Sequence, residues 1–168
     1  EEMVTRTPWR ADGLIGEGEY LRKAESAGVQ IYWSNDDDHL YVAMAAKTDG
    51  WVAIGFAPED RMKGANFILG YVKDGEAFVW DMFGVESFGP GSHPPDEELG
   101  GTNDIAEFAG RERDGLTVIE FKLPLDSGDR YDKPLKSGEN YKLIAAVGPS
   151  DDFASKHVSR DYSQITID

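Results

Sequence analysis

Three histidines, four methionines, 32 acidic residues and no cysteine set the chemical repertoire of this 168-residue chain. Without cysteine there is no thiolate nucleophile, no disulfide framework, no iron–sulfur cluster and no covalent haem attachment of the c type. Paired carboxylates are abundant, but so many acids supply pairs by chance, and their spacing says nothing until a fold places them. No Gly-x-Ser-x-Gly, His-Glu-x-x-His or phosphate-loop pattern occurs, so the expectation is a domain without catalysis of its own. The remaining reactive groups are soft thioethers and imidazoles. Met62 stands between Arg61 and Lys63 in a charged, glycine-bearing segment, an unusual place for a residue that normally fills gaps in a core. His157 lies in the polar stretch 149–161, His93 between Ser92 and Pro94, and His39 in an acidic turn. The turn residues Asn35 to Asp38 lack an EF-hand spacing and read as turn chemistry rather than a calcium site.

The elements that would hold these side chains read as strands. Two apolar runs, 51–56 and 67–72, flank the Met62 segment, and Pro58 cannot join a ladder, so a loop separates two strands there. Val29 to Trp33 and Leu40 to Ala46 form a hairpin about the acidic turn, with Met44 in phase with Leu40 and Val42 and therefore in the core. Residues 66–72 and 76–83 form another about Lys73-Asp74-Gly75, with Phe78, Trp80 and Met82 on one face and Val79 and Asp81 on the other. Strands follow at 104–113, 116–123, 141–147 and 162–167, with Arg113-Asp114-Gly115 as a turn. The lead-in 1–27 is expected to pack Leu14, Ile15 and Tyr20 onto the sandwich, with Trp9 either covering the core or offering a platform for a sugar. The stretch 84–101 has no strand signal and is long enough to be functional. Short strands spaced by turn signals, with no long helix, give an all-β, antiparallel, immunoglobulin-like β-sandwich of about nine to eleven strands in a single domain, 1–168.

Gly55-Phe56, the polar residues up to Met62, Gly64-Ala65-Asn66, the strand with Gly70-Tyr71, Lys73-Asp74-Gly75 and the aromatic strand ending in Asp81 together resemble the DOMON domain. The likeness continues through Gly115 to Leu125 and Tyr141 to Gly148 and covers roughly 27–160. That resemblance implies an extracytoplasmic β-sandwich of the kind found in the cytochrome domain of cellobiose dehydrogenase. In the haem-binding branch a methionine at the position of Met62 and a histidine near the C-terminus are the axial ligands, which here implies Met62 and His157. Lys156 is a fallback, because a relative uses lysine, and His93 competes. The cofactor so implied is non-covalent haem b. Arg160 and Tyr162 are candidates to hold a propionate, and Tyr71 and Trp80 to pack on the macrocycle. A Met/His pair raises a reduction potential and leaves no open position, so the implied task is single-electron transfer.

A net charge of −15 makes nucleic acid and anionic membrane surfaces poor partners and favours a redox partner with a basic surface. No apolar stretch approaches 18 residues, so no membrane-spanning helix is expected, and no signal peptide is visible. The alternative is a carbohydrate-binding module of related fold, with Trp9, Trp33, Trp51 and Trp80 as stacking surfaces.

Overall fold

The structure, a computed structural model, describes residues 8–56, 66–83, 105–126, 135–148 and 159–168, the side chains of Phe83, Ser159 and Arg160 excepted. Ten strands occur in it: β1 Arg22–Ser26, β2 Val29–Asn35, β3 His39–Ala46, β4 Val52–Phe56, β5 Asn66–Lys73, β6 Glu76–Phe83, β7 Glu107–Arg113, β8 Leu116–Pro124, β9 Asn140–Val147 and β10 Ser159–Thr166. No helix is present among the described residues. Every ladder is antiparallel. The strands build two five-stranded sheets, sheet A in the order β1-β2-β3-β8-β7 and sheet B in the order β10-β9-β4-β5-β6.

Turn chemistry sets the register. Asp74-Gly75 and Asp114-Gly115 both have positive φ at each position (53° and 78°; 54° and 76°). Two consecutive left-handed residues make the tight turn whose twist matches that of the flanking strands, which is why an Asp-Gly pair closes each hairpin. Ala27-Gly28 does the same between β1 and β2, at φ 55° and 80°. Alanine is a poor left-handed residue, and the sequence carries no clear signal for this turn.

Alternation then points one set of side chains between the sheets. Val29, Ile31 and Trp33 from β2, Leu40, Val42 and Met44 from β3, and Ile119, Phe121 and Leu123 from β8 meet Val52, Ile54, Phe56, Ile68 and Leu143 from sheet B. Met44 is fully buried there, as expected. The sheets approach closely at Gly70, where an added Cβ would lie 2.9 Å from Ile119 Cγ2. The indole Nε1 of Trp33 donates to the carbonyl of Thr166 at 2.9 Å, tying sheet A to the last strand of sheet B.

Three expectations need correction. The described lead-in before Arg22 forms no strand; Ile15 and Tyr20 are half-buried as expected, but Leu14 is 53% exposed and Glu19 is buried in its stead. His39 does not sit free in the turn but opens β3 opposite Pro124, half-buried. The last strand begins earlier than its apolar alternation indicates, at Ser159.

Candidate functional site

Sheet B is apolar on both faces. Its face turned away from sheet A carries a second cluster: Trp51, Ala53, Phe67, Leu69, Tyr71, Met82, Ile144 and Ala146, with Phe78 and Trp80 packed against it. None of these is charged. The register assembles it, since Ala53 pairs Leu69, Leu69 pairs Trp80, Phe67 pairs Met82 and Tyr71 pairs Phe78. Tyr71 and Phe78 stack with centroids 5.3 Å apart and planes 23° from parallel. An ordinary sandwich strand alternates apolar inward with polar outward; β4, β5 and β6 do not, which marks the outer face as built for more than solvent. Two glycines let the large rings lie down on it. A Cβ on Gly55 would fall 2.5 Å from the Phe67 ring, and one on Gly148 would fall 1.9 Å from the Trp51 indole.

Of the expected cofactor contacts, Tyr71 and Trp80 belong to this face, on neighbouring strands. Arg160 stands opposite Ala146, and Tyr162 opposite Ile144, where the Tyr162 ring is 37% exposed and lies 4.3 Å below the Lys142 ammonium. Met62, His93, Lys156 and His157 lie outside the described residues. The strand ends that flank their segments are described. Phe56 and Asn66, flanking the Met62 segment, pair with each other at the end of sheet B that also holds Phe83 and Leu143. Val147 and Ser159, on either side of the His157 segment, pair with each other at the opposite end, beside Val52. The two segments therefore do not leave from one pole of the sandwich. With about 3.3 Å of rise per residue, Phe56 and Val52, which mark the two ends, are separated by about 13 Å. The outer face of sheet B lies between them. Phe83, from which the His93 segment departs, is at the Met62 end.

The tryptophan platforms of the sugar reading are largely engaged. Trp33 and Trp51 are buried, and Trp9 packs on Tyr41 with centroids 5.1 Å apart while its Nε1 donates to the Tyr20 hydroxyl at 2.7 Å.

Sequence reasoning missed a second feature, on the outer face of sheet A. Glu120 is fully buried in mid-strand β8. Its Oε2 accepts the amides of Asp12 (3.1 Å) and Gly13 (2.8 Å), and its Oε1 accepts the Tyr20 hydroxyl (2.8 Å). Burial pushes its pKa up to about 7, with the charge of Glu19 adding to the effect, while the hydrogen bonds from Tyr20 and the two amides pull the other way. Burial likewise raises the Tyr20 phenol, and its contact with Glu120 adds to the effect. The available signal was an acidic residue on the outward side of β8 between Val118 and Lys122, but that reads as ordinary surface until a covering segment is seen.

The DOMON domain family profile matches residues 25–148. The chain belongs to the DOMON family. Its first strand and its β9 bracket that match, so both faces of sheet B except β10 fall inside the DOMON region. Among solved structures this DOMON fold is similar to the cytochrome b domain of pyranose dehydrogenase from Coprinopsis cinerea, with a TM-score of 0.57 and 10% identity, over 83% of this chain and 76% of that one. It is also similar to the cytochrome domain of Myriococcum thermophilum cellobiose dehydrogenase, with a TM-score of 0.55 and 9% identity, over 83% and 75%. By sequence it is 24% identical over 147 residues to MOXD1 homolog 1 of Drosophila melanogaster, covering 83% of this chain and 20% of that protein. It is 28% identical over 107 residues to DBH-like monooxygenase protein 1 of Mus musculus, covering 62% and 16%. The chain thus spans a fifth or less of these curated relatives.

Proposed function

We propose that this DOMON chain is an extracytoplasmic b-type cytochrome domain that passes single electrons to or from a redox partner. The observation that carries the reading is the outer face of sheet B, a buried, uncharged, aromatic surface about four strands wide, with the strands that flank the Met62 segment ending at one end of it. A flat apolar macrocycle fits such a surface, and a polar or charged ligand does not. The match of fold to two cytochrome domains supports the same reading.

In this proposal Met62 would supply a thioether and His157 an imidazole nitrogen to hold the group. Lys156 and His93 are the replacements for His157, and His93 has the shorter route because its strand ends beside Phe56 and Asn66. Trp51, Phe67, Leu69, Tyr71 and Trp80 exclude water, which favours the lower-charge ferrous state. Arg160 and Tyr162, on β10, would hold a propionate by charge-assisted hydrogen bonds. The bound haem would supply the one-electron couple. Held by both Met62 and His157, the group would carry electrons rather than bind a substrate. The acidic surface steers a basic partner into contact, a rate effect that salt weakens.

The test is reconstitution of the purified chain with haemin. The reading predicts a Soret band and sharp reduced α and β bands, lost or shifted in Met62→Ala and in one of His157→Ala, His93→Ala or Lys156→Ala. Spectra identical to free haemin count against it. A second reading starts from the names of the sequence relatives, a DOMON module attached to a monooxygenase-type chain, and takes that module to work without haem. It predicts no haem uptake, with the outer face packed on its own segments.

A further inference from the structure

Residues Trp9 to Leu21 cross the outer face of sheet A without joining it, held by a small set of polar contacts. Leu21 N–H donates to Ser34 Oγ at 2.8 Å, Arg111 Nε donates to the Asp12 carbonyl at 2.8 Å, and Glu120 accepts the Asp12 and Gly13 amides and the Tyr20 hydroxyl. Gly13 makes the approach possible: its φ is +76°, and a Cβ there would lie 2.6 Å from Arg111 Cγ and 3.0 Å from the Gly110 backbone. Two buried carboxylates meet here, Glu120 beneath the segment and Glu19 within it. The oxygens of Glu19 accept Arg10 N–H at 3.1 Å and Gly16 N–H at 2.8 Å. Neither acid has an ion pair with a lysine or arginine among the described residues. Glu120 is flanked in the sheet by Ala43 and Ala109, which bring no charge.

We propose that Trp9–Leu21 is a proton-fastened strap, closed over sheet A when Glu120 is a neutral acid and loosened when Glu120 ionises beside Glu19.

The remaining groups facing Glu120 set the balance. From the strap come Glu19, Tyr20 and the Asp12 and Gly13 amides; from β7, Arg111 and Glu107; from β8 itself, Lys122; from β3 and β2, the rings of Tyr41 and Tyr32. Arg111 donates from Nε to the Asp12 carbonyl and Lys122 lies over the Tyr41 ring at 5.6 Å; neither pairs with Glu120 among the described residues. A protonated Glu120 can donate to the Tyr20 oxygen and still accept both amides, so every strap contact survives in the neutral form. The closed form holds the proton up to about pH 7, whereas in the open form Glu120 is an ordinary carboxyl of 4.5. A group raised in the closed state stabilises closure fully below its open-state value, and that contribution is lost as pH rises toward its closed-state value. Opening therefore increases about tenfold per pH unit between those limits, to about 300-fold in all, and then levels off.

Hydrogen exchange of the whole chain, read as protection factors at the Asp12 and Gly13 amides from pH 4.5 to 8, tests this. The strap predicts protection falling steeply to about pH 7 and flat beyond. E120Q, a neutral isostere, should keep protection high and nearly independent of pH. E19Q should end the fall at lower pH and shrink it, and it carries the test alone if E120Q does not fold. Protection that is constant with pH in the native chain, an E120Q slope equal to the native one, or an E19Q profile that does not move would overturn the proposal.

Discussion

Gly148→Ala is expected to be among the most damaging single-methyl additions to this chain. A Cβ there would sit 1.9 Å from both Cε2 and Nε1 of Trp51 and 2.4 Å from its Cδ1. Carbon contacts are ordinarily about 3.5–4 Å, so the overlap is far beyond what small rotamer adjustments absorb. The backbone has little room to yield, because Gly148 N–H donates to the Trp51 carbonyl at 2.8 Å and Thr48 Oγ1 donates to the Gly148 carbonyl at 2.9 Å. The indole must leave its place on the outer face of sheet B, where it is 3% exposed. Losing a buried tryptophan costs about 3–5 kcal/mol. With an m-value of about 2 kcal/mol/M, the urea midpoint should fall by about 1.5–2.5 M, and tryptophan emission should shift red before unfolding. In a Trp51→Ala background the same substitution should cost under about 1 kcal/mol, because the clash is gone. A midpoint within about 0.5 M of the native one, or equal costs in the two backgrounds, would refute the reasoning.

Gly70→Val pushes a side chain into Ile119 between the sheets, where even a Cβ meets three atoms of that residue at 2.9–3.2 Å. It should cost about 1–3 kcal/mol in urea unfolding, with relief when Ile119 is shortened to valine. Asp36 gives a pH signature of opposite sign to that of Glu120. Burial works against its charge, but hydrogen bonds from the Tyr41 hydroxyl and the Asp38 and His39 amides, with the nearby His39, outweigh it and hold the carboxyl at about 2. A depressed carboxyl stabilises above its ordinary value, so the contribution should vanish as pH falls from about 4 to 2. Melting curves of Asp36→Asn should lack that acid-side loss.

The sandwich was legible because strand alternation and Asp-Gly turns are local signals, and both hairpins closed by Asp-Gly were readable from four or five residues. The aromatic face at Phe78, Trp80 and Met82 was visible as an alternation, but its meaning was not. A strand apolar on one side reads as a core strand, and only the full register reveals that sheet B carries apolar residues on both sides. Glu120 was illegible for the complementary reason. Its environment is made by Asp12, Gly13 and Tyr20, about a hundred residues away in sequence, and no local pattern encodes such a contact. The placing of the Met62 and His157 segments was half legible: loops between strands were evident, but which end of the sheet each leaves depends on strand order, which turns and periodicity do not fix.

Absorbance of the chain reconstituted with haemin tests the central claim most directly. A Soret band with sharp reduced α and β bands, abolished or displaced by Met62→Ala, is the predicted result. A spectrum of unbound haemin, or a bound spectrum indifferent to Met62 and to every histidine and lysine substitution named above, would contradict it.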